Sequence, residues 1–397
     1  MSPLVLKSFT ATSAIGRGRD ATLASLNAQR SGLAPCRFET VSLDCCVGEV
    51  AGVDQVALPR ELAEFECRNN RLAWLALGED GFREAVAESA ARHGRRRVGV
   101  FLGTSTSGIL ETELAYRRRD PASGALPQGF SYRGAHNSFS LGAFAQRALH
   151  LAGPAAVISC ACSSSAKVFA SARRAIEADL IDAAVVGGVD SLCLTTLHGF
   201  HALQLVARTP CRPFDATRDG ISIGEAAAFA LLERAGAAVD ADAVLLLGTG
   251  ESSDAYHMSA PPPDGRGARA AMLQAIAAAG IEPQQIGYIN FHGTGTPSND
   301  AAEALAVASV LGNDVPGSST KGATGHTLGA AGALEAVICA LALKKGLMPA
   351  GVNTTQVDPG LPVNYLRENR NTQLTRVMSN SFGFGGSNCS LILARAG

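Results

Sequence analysis

Runs of residues that are apolar at successive positions, rather than at alternate ones, constrain this chain most. They occur at Leu4–Phe9, Val98–Leu102, Ala155–Ser159, Ala183–Val186, Ala243–Leu247, Tyr288–Phe291 and Ser390–Leu393. A strand with one face in water alternates in polarity; a strand apolar throughout has both faces covered. Helical stretches lie between these runs, at Glu61–Arg92, Cys162–Ala178, Gly267–Ala279 and Ala330–Leu347. This alternation predicts an α/β architecture with buried sheets sandwiched by helices.

At 397 residues, 47% of them hydrophobic and 17% charged, the chain has material for one large domain of two fused halves. No linker separates the halves. Tyr116–Arg133 is polar and turn-rich and reads as a surface excursion, and Pro261–Gly267 breaks the pattern a second time. No internal sequence repeat is visible, so any duplication is structural.

The formal net charge of −1 excludes a nucleic-acid binder that depends on a strong basic field, though not a local basic patch for an acidic partner. No apolar run reaches the about 18 residues a membrane span needs. The start, MSPLVLKSFTATSAIGRG, lacks an apolar stretch followed by a small-residue cleavage site. Ten cysteines are too sparse here for a disulfide scaffold, which makes a reducing, cytoplasmic setting the expectation.

Four segments carry the chemistry. In ISCACSSSAKVFASARRAIEADL, from Ile158, a β-run ends and a helix starts near Cys162, with Ala166, Phe169, Ala172, Ile176 and Leu180 at helical spacing. A thiol at a helix N-terminus feels the partial positive charge of unpaired N–H groups, which favours the thiolate. Cys160 ends the β-run without that help and reads as packing. The second segment, INFHGTGTPSNDAAEA, places His292 where a β-run gives way to a glycine and threonine loop. The third, SSTKGATGHTLGAAGALEA, holds Lys321, His326 and Glu335 among residues small enough for close backbone approach. The fourth, MSNSFGFGGSNCSLIL, breaks a strand at Phe382–Gly386 and frees N–H groups to face a cavity. Taken alone, a thiol and two histidines fit a cysteine hydrolase or a metal site as well. Zinc is disfavoured, because Cys160, Cys162, His292 and His326 lack paired ligand spacing.

In order along nearly the whole chain, TSAIGRGRDATLASLNAQRSGL, ACSSSA, CRPFDATRDGISIGEAAAFALLE, HMSAPPPDG, HGTGTP, STKGATGHTLGAAGALEA and MSNSFGFGGSN resemble the elongating β-ketoacyl-acyl carrier protein synthases of fatty-acid and polyketide assembly. The resemblance implies a thiolase-like five-layer αβαβα sandwich, with residues 1–250 carrying the nucleophile and residues 251–397 carrying both histidines and the GFGG loop. It implies a decarboxylative condensation with Cys162 as nucleophile and His292 and His326 stabilising the enolate. Lys321 and Glu335 match the supporting pair. The N–H groups of Cys162 and Phe384 would form the oxyanion hole, with Phe384 as gate, and Thr294 and Thr296 would hold the pantetheine arm. No cofactor is expected, since substrates arrive on acyl carrier protein. Arg68 and Arg71, at i and i+3 of one helix, and Arg212 are candidates for contact with that carrier. A homodimer, or a heterodimer with a related chain-length subunit, is the expected assembly.

The chain also departs from the housekeeping pattern. Cys160 replaces a serine or threonine, the loop ALQLVARTPCRPFD is shortened, and ISIGEAAA replaces a more glycine-rich stretch. These changes point to a specialised substrate, such as a polyketide or aryl polyene chain. The rivals are a thiolase, which would need a second catalytic cysteine where only Cys389 is near, a Cys-His-Asn priming synthase, and a non-catalytic chain-length partner. The histidine at position 326 and the cysteine at 162 speak against the last two.

Overall fold

The computed structural model describes residues 3–236 and 239–397. Ten strands form its frame: β1 (Leu4–Ser13), β2 (Val98–Gly103), β3 (Ala155–Ile158), β4 (Ala183–Asp190) and β5 (Ala226–Arg234), then β6 (Val244–Ser253), β7 (Tyr288–Asn290), β8 (Pro316–Ser318), β9 (Arg376–Gly383) and β10 (Ser387–Arg395). They lie in the order β8-β7-β9-β10-β6-β1-β5-β4-β2-β3.

The second five repeat the first. β2 is parallel to β3 and β4, while β4 and β1 are antiparallel to β5. Likewise β7 is parallel to β8 and β9, while β9 and β6 are antiparallel to β10. Even a register shift recurs, at Leu6/Ser8 in β1 and at Leu246/Gly248 in β6. A short antiparallel seam from Leu4–Leu246 to Leu6–Val244 joins the halves. The duplication is therefore structural, and the strand that opens the second half runs across residue 250.

The apolar runs find cover on both faces, as their patterning requires. In β5, Ala227, Phe229 and Leu231 turn to an outer core with Leu72, Ala76 and Phe144 from the flanking helices. Ala226, Ala228, Ala230 and Leu232 turn to an inner core shared with both halves. That inner core is built on two central helices, Ser164–Glu177 and Ala331–Lys345. Residues 331–343 are buried on every side, including Glu335, so this helix is apolar all round rather than amphipathic. The two helices approach at backbone distance, since a Cβ added to Gly332 would lie 2.6 Å from the amide nitrogen of Ala166. A third core, with Met272, Ile276 and Val307, lies outside the second sheet. Helix, sheet, paired helices, sheet and helix make the five layers.

The expected helix Glu61–Arg92 is three pieces: a 3-10 turn (Arg60–Phe65) and helices Arg68–Leu77 and Phe82–His93. Cys67 is extended (φ −164°) and caps the second piece by accepting the amide of Asn70, and Gly81, with φ 68°, restarts the third. No described helix is long and apolar enough to cross a membrane.

Candidate active site

The nucleophile segment turns sharply. Ala161 has φ 54°, and Ser164 begins the helix with Ser163 as its cap, so Cys162 stands just before the helix rather than in its first turn. His326 is held from the other half, where its amide donates to the carbonyl of Ser222 at 2.7 Å and its carbonyl accepts from Gly224 at 3.0 Å. The ISIGE segment thus acts as a small ladder for the histidine. Across the seam between the halves, the Nε2 of His326 lies 3.0 Å from the sulfur of Cys162.

His292 completes the triangle, its ring nearly perpendicular to that of His326 with centroids 5.4 Å apart. Its amide and that of Gly293 donate to Glu303 at 2.8 and 2.7 Å. Lys321 is buried, pairs with Glu335, and donates to the carbonyl of His292 at 2.5 Å. Its ammonium also lies 3.5 Å from the Nδ1 of His292. An ammonium only donates, so Nδ1 is the acceptor and the ring proton sits on Nε2, free to donate into the cavity. The Nδ1 of His326 has no partner among the described residues, so neither tautomer of that ring is locked.

Burial, and then the Lys321 charge, hold both histidines well below the usual imidazole range, and each is neutral near pH 7. Cys162 overturns the expectation of a thiolate favoured by a helix end. Burial pushes its thiol up to about 11, against the pull of the Phe384 N–H and Lys321. The resting pair is a neutral thiol facing a neutral imidazole. The N–H groups of Phe384 and of Cys162 itself both pull the thiol down, against its burial.

A pocket open to solvent, about 610 Å³ with its mouth included, leads to these groups. Thr294 and Thr296 line it, their hydroxyls 2.9 Å apart, and Thr296 also caps the helix Pro297–Leu311. Phe384 lines it opposite, against Phe200, and is followed by two glycines with φ of 78° and 76°. Cys160 bonds to Ser163 at 3.4 Å and does not line the cavity. Cys389 is fully buried in β10, which leaves it no part in chemistry of the thiolase kind.

Cys162, His292 and His326 are the one group of three such side chains among the described residues whose donor atoms all come within 4.8 Å. The ammonium of Lys321 beside His292 makes this a poor place for a further cation.

Arg68 corrects the sequence reading. It is 2% exposed and binds Glu225, at 2.7 Å and 3.0 Å, together with Asp54 and Glu49. Its position at the first turn of its helix turns it inward, so it contacts no docking partner. Arg71 stays at the surface, paired with Glu66, and Arg212 donates to the carbonyl of Thr217 at 3.1 Å and lies 3.5 Å from Asp219.

Two buried carboxylates escaped the sequence reading. Glu303 gathers the amides of the HGTG loop, and Asp300 takes that of Phe214 at 2.8 Å. The signal was the acidic start of the helix after that loop, where free amides need acceptors.

Residues 60–238 match the family described as Beta-ketoacyl synthase, N-terminal domain, and residues 243–355 its C-terminal domain. A 3-oxoacyl-[acyl-carrier-protein] synthase 2 of Coxiella burnetii is 34% identical over 346 residues, 84% of this chain and 81% of that protein. The solved complex of a ketosynthase (ApeO) with its chain length factor (ApeC) from Xenorhabdus doucetiae superposes with a TM-score of 0.89 at 39% identity, covering 100% of this chain and 98% of that one. The ishigamide ketosynthase/chain length factor gives 0.90 at 28% identity, with 100% of each chain covered.

Proposed function

The chain belongs to the β-ketoacyl synthase family, and from that premise we propose that it joins an acyl group carried on Cys162 to the two-carbon unit of malonyl-acyl carrier protein. The observation that carries this reading is the convergence of one thiol and two neutral imidazoles, with Phe384 beside them, in a single cavity.

In the first half-reaction the Cys162 sulfur attacks the acyl thioester carbonyl. The thiol proton passes to the Nε2 of His326 and then to the departing carrier thiol, and an acyl-Cys162 thioester remains. The tetrahedral oxyanion rests on the N–H groups of Cys162 and Phe384. In the second, the bond from C2 of malonyl-carrier to its carboxylate breaks and carbon dioxide leaves. The electron pair becomes an enolate whose oxygen accepts from the Nε2–H groups of His292 and of His326, whose ring, unpartnered at Nδ1, has by then lost its Nδ1 proton to solvent and gained one at Nε2. The enolate C2 then attacks acyl-Cys162, and collapse of that adduct expels the Cys162 thiolate, which takes one proton from solvent to regain the resting thiol. Lys321 and Glu335 hold His292, and Thr294 and Thr296 bond the pantetheine arm. No cofactor enters these steps.

Acyl carrier protein is the partner, with Arg71 and Arg212 at the surface as its candidate contacts. A second subunit belongs at β3. Among the described residues that strand ends the sheet, pairs only with β2, and is half-buried near Phe139, which is 45% exposed. Its occupant is a second copy or a chain-length subunit, as in the complex from Xenorhabdus doucetiae. A fatty-acid or polyketide chain, including an aryl polyene, is the proposed product, made in the cytoplasm. A second reading, a non-elongating partner subunit, is disfavoured by the thiol facing His326.

Intact-mass spectrometry after incubation with acyl-carrier protein tests the proposal. The native chain gains an acyl adduct that malonyl-carrier discharges, and Cys162→Ala gains none. A folded native chain that takes up no acyl group would move the assignment to the partner subunit.

A further inference from the structure

Three residues other than glycine hold left-handed backbone around the reacting pair: Ser107 (φ 44°), Ala161 (φ 54°) and Leu328 (φ 50°). Such a conformation costs about 1–3 kcal/mol and persists only where its surroundings over-determine it. One carboxylate, that of Asp190 at the end of β4, reaches all three.

Asp190 is 0% exposed and accepts from five donors. Its Oδ1 takes the Thr104 hydroxyl and the Ser105 amide, each at 2.7 Å, and the Thr106 amide and hydroxyl, each at 2.9 Å. Its Oδ2 takes the amide of Gly329 at 2.5 Å. The Thr104 hydroxyl accepts in turn from Ser107 at 2.9 Å, and the Ser105 hydroxyl donates to the carbonyl of Ala161 at 3.2 Å. Ala161 immediately precedes the nucleophile. Gly329 follows Leu328, and stands three residues after His326. There is no slack in this contact, because a Cβ on Gly329 would meet the Ser105 hydroxyl at 2.6 Å and the carboxylate at 2.8 Å. All five partners donate, so the site is built for the ionised carboxylate, which needs no acceptor.

We propose that Asp190 is a positioning residue of this active site, joining the segment that holds Cys162 to the segment that carries His326 and so setting their 3.0 Å separation. The inference rests on the functional reading above only for the reaction it serves. Neither reacting side chain touches Asp190 directly, and its charge opposes that of Lys321 at the sulfur.

The test compares Asp190→Asn and Ser105→Ala with the native full chain. Asp190→Asn keeps the shape, removes the charge and turns one acceptor into a donor. The pH profile of Cys162 alkylation by iodoacetamide, located by mass, then moves to lower pH. Single-turnover acyl transfer from carrier to Cys162 falls about tenfold or more, with KM nearly unchanged. Ser105→Ala keeps the charge but cuts the link to Ala161, so transfer slows and the alkylation profile stays. A folded Asp190→Asn chain with native profile and native transfer rate overturns the proposal. Should that variant not fold, a native transfer rate in Ser105→Ala overturns it equally. A native chain that accepts no acyl group defeats the functional reading instead, and the alkylation profiles still decide this one.

Discussion

The rings of Phe200 and Phe384 face each other with centroids 5.6 Å apart and planes tilted by 51°, both lining the cavity that ends at Cys162. The backbone N–H of Phe384 also pulls the Cys162 thiol down, so ring and backbone bear on the same site. The two glycines behind Phe384 hold positive φ, and a Cβ on Gly385 would meet nothing within 4 Å. Phe384→Ala is expected to speed alkylation of Cys162 by iodoacetamide about tenfold, as removal of a closed gate should. Phe200→Ala acts in the same direction but less. Unchanged rates in both would mean that the pair does not control access.

On the proposed mechanism His292 donates to the enolate, whereas the hydrogen bond to the thiol among the described residues is that of His326. His292→Ala should therefore lower decarboxylation of malonyl-carrier by about 10²–10³-fold, the usual loss for one oxyanion donor. Acyl loading of Cys162, read by intact mass, should stay within about threefold. Loss of both activities together would show that the ring is needed to hold the loop, and not only to donate.

Arg68 neutralises Glu225, which also accepts the amides of Val50 at 2.9 Å and Leu192 at 3.0 Å. Removing the arginine strands that carboxylate in the core, and Arg68→Met should cost about 3–5 kcal/mol in urea unfolding. Arg71→Ala, which breaks an exposed pair, should cost under about 1 kcal/mol. Equal effects would restore Arg68 to the surface.

Acid should destabilise the protein through its active site. His292 and His326 have native pKa values well below 6.5, whereas the unfolded chain takes up protons near that value. Below about pH 6.5 the unfolded state then binds more protons, and stability falls as pH falls, by up to about 1.4 kcal/mol per unit for each ring. Glu303 works the other way. Burial raises its carboxyl to about 7, so between its unfolded value and that point stability falls as pH rises. His326→Gln should flatten the acid side of a stability profile taken from pH 5 to 8, and Glu303→Gln should steepen it. A profile indifferent to both substitutions would show that neither group changes its proton affinity on folding.

The sandwich was legible because both-face burial leaves its mark residue by residue, as in the unbroken apolar run of β4. Cys162 and His292 stood out because such runs end beside them, His326 because very small residues follow it, and the resemblance joined the three. Other features were not written locally. The i, i+3 spacing of Arg68 and Arg71 puts two side chains on one side of a helix, but does not say which of them a buried carboxylate such as Glu225 draws inward. Cys162 sits near a helix start, yet its proton affinity is governed by a covering layer from the other half of the chain. Asp190 and Glu303 matter for the loop amides they collect, and loop conformation is the part of a fold that residue patterning records least.

Gly332 carries no functional group and touches none of the reacting atoms, yet its missing side chain lets the helix behind His326 lie against the helix behind Cys162. Any larger residue there would wedge those two helices apart. A genetic screen for lost activity would score position 332 beside the nucleophile itself. It would be reporting the thickness of a joint, not a step of the reaction.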